Sequence, residues 1–138
     1  LSRVVDAWAR LSRARVAVLA TNRAGGHPHL VPCCFAVDEA TAYTAIDDKP
    51  KSSMRLRRLD NIAADPRVTV LAQHYDDLNW DQLWWISVTG RARVVPSGPQ
   101  HDRGVTLLLA KYGQYAAHRF DGPIIAVTLV EWRGWAFR

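Results

Sequence analysis

The 138-residue chain is long enough to bury one hydrophobic core and too short for two. Hydrophobic residues make up 49% of it and charged residues 22%, which excludes the composition of a disordered chain. A formal charge of +5 predicts attraction to anions, whether nucleic acid, an acidic membrane surface or a phosphorylated small molecule.

No apolar run approaches the ~20 residues that cross a bilayer, since even residues 123–130 stop at Glu131, so the chain reads as soluble. Its first fifteen residues carry Arg3, Asp6, Arg10, Arg13 and Arg15 and lack the apolar stretch of a secretory signal. Cys33 and Cys34 are the only cysteines. Neighbours on a strand point to opposite faces, which forbids an ordinary disulfide and makes a reducing cytoplasm the expected setting.

Residues 4–11 place Val4, Val5, Ala7, Trp8 and Leu11 near helical spacing and predict a short N-terminal helix. The run from Val16 to Thr21 predicts a first strand over 15–22, and Gly25-Gly26 a reversal over 23–28. A second strand is expected over 30–37 and a third over 41–46, joined by Asp38, Glu39 and Ala40, so that three strands form a meander. Pro32 lacks an amide donor. That places its strand at an edge or a bulge and frees backbone groups for a ligand.

Over 52–64 the period changes: Leu56, Leu59, Ile62 and Ala63 share a helical face until Asp65-Pro66 ends it. Alternation predicts a fourth strand over 67–74 and a long fifth over 83–95, separated by an acidic, Trp-bearing loop at 75–82. A further helix over 100–112 carries Val105, Leu108, Leu109 and Tyr112 on one side, and His101 and His118 read as surface residues near it. The last strand, 123–137, is apolar on both faces from Ile124 to Val130 apart from Thr128. It needs cover on both sides, and a partner subunit is the simplest second cover. With no repeat or linker, residues 1–138 form a single mainly β domain, a barrel with inserted helices.

The chemically informative segment is 47–58, where Lys49, Lys51, Arg55, Arg57 and Arg58 crowd the start of a helix. Cations there oppose the helix dipole, an arrangement that makes sense when an anion sits among them and uses the free amides too. Lys51, Arg55 and Arg58 recur at i, i+4 and i+7, a stripe suited to clamping a phosphate. The same residues also fit a solvated basic face neutralised by Asp47, Asp48 and Asp60.

The segments Val18-Leu19-Ala20-Thr21, Gly25-Gly26-His27-Pro28-His29, Val31-Pro32, Tyr43-Thr44-Ala45, the basic helix and Asn61-Ile62 with Asp65-Pro66-Arg67-Val68 resemble the split-barrel flavin and deazaflavin oxidoreductases, the pyridoxamine 5'-phosphate oxidase-like proteins. More narrowly, Lys49-Pro50-Lys51, Arg55-Leu56-Arg57-Arg58-Leu59, Leu83-Trp84-Trp85 and the ending Val127, Trp132, Gly134, Trp135 look like an actinobacterial branch of coenzyme F420-dependent enzymes. The resemblance spans about Arg15 to Arg138. It implies a split β-barrel of six or seven strands, similar to FMN-binding proteins, and a homodimer with cofactor sites along its interface. By position it implies that Pro32, Thr44, Ala45, Ile46 and Asp47 border the ring, and that Lys49, Lys51, Ser52, Arg55 and Arg58 meet the phosphate and acidic tail.

The resulting expectation is hydride transfer between reduced coenzyme F420 and a small organic acceptor, with FMN as the alternative cofactor. A cofactor that carries the chemistry explains why no nucleophile or acid/base motif stands out; Tyr43, His74 or solvent is left as proton donor. A protein that binds the cofactor or a tetrapyrrole without turnover is the competing class. On the fifth strand Trp84, Ile86 and Val88 form a core row, whereas Trp85, Ser87, Thr89 and Arg91 face a substrate pocket or the interface. His27-Pro28-His29 falls short of a metal site. Asp76, Asp77 and Asp81 interrupt any basic track for nucleic acid.

Overall fold

The computed structural model describes residues 2–46, 53–117 and 122–137, and among them the side chains of all but 2–5 and 53–56. Chain order is α1 (Ser2–Arg13), β1 (Ala17–Asn22), β2 (Pro28–Cys33), β3 (Ala36–Asp38), β4 (Thr41–Ala45), α2 (Ser53–Ala64), β5 (Arg67–His74), β6 (Trp84–Val95), α3 (Pro99–Lys111) and β7 (Ile124–Ala136). Short 3-10 turns at Trp80–Gln82 and Gly113–Ala117 fill two of the connections.

Seven antiparallel strands form one sheet in the order β2-β1-β5-β6-β7-β4-β3. β2 and β3 occupy opposite edges, yet only Cys34 and Phe35 separate them in sequence. Three Cα steps span at most about 11 Å, so the two edges approach each other there and the sheet curls into a barrel.

This corrects the expected three-strand meander. The predicted second strand breaks into β2, which pairs with β1, and β3, which pairs with β4. At the break, side chains take over the backbone bonding. Thr44 Oγ1 donates to the Cys34 carbonyl at 2.7 Å, and the Phe35 amide donates to the Tyr112 hydroxyl at 3.0 Å. Pro32 lies on the edge strand, as its missing donor requires.

Between β1 and β2, Arg23 N donates to His27 O, and Gly25 and Gly26 both take φ near +90° (91° and 87°), which only glycine adopts freely. The core is built from the inward rows of the strands: Leu19, Val68, Val70, Ile86, Val88, Ile125 and Val127 are all buried, with Leu11 of α1 and Ile62 of α2 closing it. The expected row of Ile86 and Val88 is part of it, and Trp84 packs against it.

The outer face of β7 is a second correction. Ile124 and Ala126 bury against Tyr43 and Val95, with Val105 and Leu107 of α3 packed over them. The chain's own α3 therefore covers Ile124 and Ala126, while Val130 farther along β7 stays exposed. Gly104 permits this closeness, since a β-carbon there would run into Ile124 and Tyr43. His101 is likewise not a surface residue: its side chain is 12% exposed and its Nε2 lies 2.9 Å from the Gly122 carbonyl. His118 lies outside the described residues. Among the described residues no helix is long and apolar enough to cross a membrane.

Candidate anion and cofactor site

One polar contact fixes α2 on β1. Asn61 Nδ2 donates to Thr21 Oγ1 at 3.0 Å, both side chains being buried. Thr21 pairs with His29 across the β1–β2 ladder, so the two side chains stand side by side on one face. Arg57 and Arg58 precede Asn61 by four and three residues, one helical turn along the same side of α2. Arg23 follows Thr21 by two residues, at the start of the turn.

The charges of Arg23, Arg57 and Arg58 all act on the imidazole of His29. His29 is 4% exposed, and neither ring nitrogen has a hydrogen-bond partner. Burial, and then the charges of Arg23, Arg58 and Arg57, push its pKa below the ordinary histidine value, so the ring is neutral at pH 7. The Nε of Arg23 is also buried without a partner. Each orphaned buried polar group costs about 1–3 kcal/mol, and orphaned groups gathered beside cations are the arrangement an oxyanion satisfies.

The sequence-derived site residues divide into three groups. Asp47, Lys49, Lys51 and Ser52 lie outside the described residues. Arg55 falls in the first turn of α2, and Arg58 is half-buried in its second, among the groups around His29. Thr44 and Ala45 end β4 and Ile46 follows it, Thr44 buried and bonded to Cys34 O, Ile46 buried in the core; Pro32 is exposed on the far edge strand. The closure between β2 and β3 brings these two edges together around Cys33–Phe35.

The side chains at that closure form a second cluster. Lys111 Nζ sits 4.0 Å from the centroid of the Phe35 ring and 5.3 Å from that of Tyr112, buried and without a hydrogen-bond partner. Burial, with a smaller push from Arg15, brings its pKa down to about 8. Burial also pushes the Cys33 thiol up, which keeps it protonated and unreactive. Both cysteines are free.

Trp85 lies elsewhere. It lines a cavity of about 510 Å³ with Trp132 and Trp135 of β7, Arg133 at its edge, and Asp6 and Arg10 of α1. A second cavity of about 360 Å³ lies over β1, β5 and β6 and includes Arg67, Arg91 and Val130. Neither is lined by Pro32, Thr44 or Arg58. His27 is exposed and His29 buried, and among the described residues no group of three or more His, Cys, Asp or Glu is placed to hold a metal.

Sequence reasoning missed His29, Arg23 and Lys111. His29 carried a weak signal in the alternation Pro28, His29, Leu30, which sets it on one face and its apolar neighbour on the other. Lys111 in the last turn of a helix reads as a dipole complement and gives no hint of burial.

A curled seven-stranded sheet closed by a two-residue edge-to-edge link, with α2 laid against β1 and β6, defines a split β-barrel protein. The chain belongs to the pyridoxamine 5'-phosphate oxidase family, whose model matches residues 6–136. Several solved structures share the fold. Conserved hypothetical protein Rv2991 from Mycobacterium tuberculosis matches with a TM-score of 0.76 at 20% identity, over 99% of this chain and 84% of its own. A FAD-binding protein from Mesorhizobium loti matches at 0.70 and 20%, over 94% and 91% of the two chains. The haem storage protein HutZ from Vibrio cholerae matches at 0.70 and 14%, over 98% and 92%. Comparison with curated proteins yields no match.

Proposed function

We propose that the chain is a coenzyme F420-dependent oxidoreductase that moves a hydride between the reduced deazaflavin and a small organic acceptor. The observation that carries the reading is the buried, unpartnered His29, on which the charges of Arg23, Arg57 and Arg58 act, beside the helix whose first turns the sequence loads with cations. A phosphate ester fits here, since it brings negative charge to the three guanidinium groups and acceptor oxygens to the His29 ring and to Arg23 Nε. On this reading Lys49, Lys51, Ser52, Arg55 and Arg58 bind the phosphate and acidic tail, and Pro32, Thr44, Ala45, Ile46 and Asp47 border the ring.

When bound, the cofactor supplies the hydride chemistry. The chain's part is to hold the phosphate, position the ring against the backbone near the β2–β3 closure and keep water from the transfer. Within one chain the Trp85 cavity lies apart from Pro32, Thr44 and Arg58, so on this reading Trp85 of the second chain walls the acceptor pocket. A homodimer, which places a second chain against the ring, belongs to the same reading. Family membership and the FAD-binding relative support a flavin-type cofactor. The narrower likeness at Lys49-Pro50-Lys51 and Leu83-Trp84-Trp85 favours the deazaflavin over FMN. The likeness to HutZ supports a second reading, tetrapyrrole binding without turnover.

Fluorescence titration with coenzyme F420 and with FMN, and absorbance titration with haem, separate these readings. The expected result is micromolar binding of F420, lost in a Lys51→Ala, Arg55→Ala variant whose circular dichroism is unchanged. Oxidation of the reduced cofactor by added acceptors then distinguishes enzyme from carrier. Failure of both F420 and FMN to bind sinks the assignment.

A further inference from the structure

We propose that His29 is the buried floor of the oxyanion site, and that anion binding there is coupled to uptake of one proton by its imidazole. This deepens the functional reading above and shares with it the premise that the α2 cations hold an oxyanion.

The ring is almost wholly buried, at 4% exposure, and both nitrogens lack a partner within the protein. It stands beside Thr21, whose hydroxyl is already engaged by Asn61. Thr21 keeps its own hydroxyl proton, yet neither ring nitrogen is bonded by it or by any other group among the described residues.

The charged groups that act on the ring come from two elements. Arg23 lies in the β1–β2 turn, and Arg57 and Arg58 lie on α2; all three are cations. A neutral imidazole carries one donor and one acceptor, so an oxyanion that meets it can accept only one hydrogen bond. Adding a proton from solvent gives imidazolium, with two donors. In the free protein three guanidinium charges and burial oppose that protonation. A bound anion offsets those charges and accepts from the ring, reversing the balance.

Binding raises the pKa of His29, so the complex holds more protons than the free protein between the two values, and affinity increases as pH falls through that window. Inorganic sulfate is a suitable probe because it does not titrate there, whereas phosphate does. Its Kd is measured between about pH 5 and pH 8, alongside long-range proton–nitrogen NMR of the His29 ring.

The expected result is a rise in the His29 pKa on adding sulfate, and a Kd that tightens by up to about tenfold per pH unit within the window. His29→Gln should keep the fold, as seen by circular dichroism, and flatten the pH dependence. Arg57→Ala with Arg58→Ala should weaken sulfate binding at every pH. The proposal is overturned if sulfate leaves the His29 pKa unchanged, or if His29→Gln keeps the wild-type slope. Tight binding of F420 or FMN together with a silent His29 would leave the oxidoreductase reading intact and remove this one. A sulfate-linked His29 in a protein that binds neither cofactor would do the opposite.

Discussion

The Tyr112 hydroxyl accepts a hydrogen bond from the Phe35 amide at 3.0 Å, and so the end of α3 holds the link that carries the chain between the two edges of the sheet. The same oxygen lies 2.9 Å from the carbonyls of Phe35 and Arg15, and its single proton serves one of them at a time. Phe35 is 2% exposed, so its amide has no access to water. Tyr112→Phe leaves that amide unpaired and should cost about 1–3 kcal/mol. Urea denaturation checks this: the midpoint should fall with the slope unchanged. A loss below about 0.5 kcal/mol would mean that packing alone holds the closure.

A glycine governs the other irregular point of the sheet. Thr89 faces Glu131 and Gly90 faces Leu129, so Val130 is left over as a bulge and is 65% exposed. A β-carbon on Gly90 would collide with the carbonyl of Thr128, a backbone atom that no rotamer change can move aside. Gly90→Ala should therefore destabilise by about 1–3 kcal/mol. The thermal midpoint measures it, and a midpoint equal to wild type would show that the bulge relaxes freely.

Much of this fold was legible because hydrophobic period survives folding. The predicted strand over 67–74 matches β5 end to end, and the helices over 52–64 and 100–112 agree with α2 and α3 within a residue at each end. What the period cannot report is which strands pair. Val37 continues the apolar pattern of Val31, yet the chain crosses from edge to edge between them, because the bonds to Tyr112 and Thr44 come from residues 77 and 10 positions away. The cover of β7 was legible only in part for a related reason: an apolar face shows that something packs on it, and over Ile124 and Ala126 that is α3 of the same chain. Within the candidate site, Arg58 was legible from charge at a helix start, while His29 was not, since only register with Thr21 and the seat of Asn61 reveal its burial.

Trp85 gives a prediction that separates pocket from cofactor site. It is 39% exposed and shares its cavity with Trp132 and Trp135, away from the α2 cations. On the proposed function, Trp85→Ala should raise the acceptor KM by about tenfold, roughly 1.4 kcal/mol of lost aromatic contact, and leave the Kd of the cofactor unchanged. Steady-state kinetics with a matching fluorescence titration decide it. A loss confined to cofactor affinity would assign Trp85 to the ring instead.

Lys111 sets the pH dependence of stability. Its folded pKa of about 8 lies below the ordinary lysine value of 10.5, with burial the main cause. Between those values the unfolded chain binds more protons than the folded one, so this residue's contribution rises with pH. Its destabilising effect is full below about pH 8 and fades as pH approaches 10.5. Cys33 and Tyr112 have pKa values raised by burial, and their contribution falls over the upper part of the same range. Comparison with Lys111→Met cancels the share of Tyr112 and leaves only the small part of the Cys33 shift that Lys111 itself causes. The variant should be more stable than wild type at pH 7, because a neutral chain of similar length fills the space over Phe35 without a desolvated charge, and the gap should narrow steadily toward about pH 10. Urea midpoints for both proteins across that range test the claim. A gap independent of pH would show that the ammonium group loses little on folding and that its cation–π contacts with Phe35 and Tyr112 offset its burial.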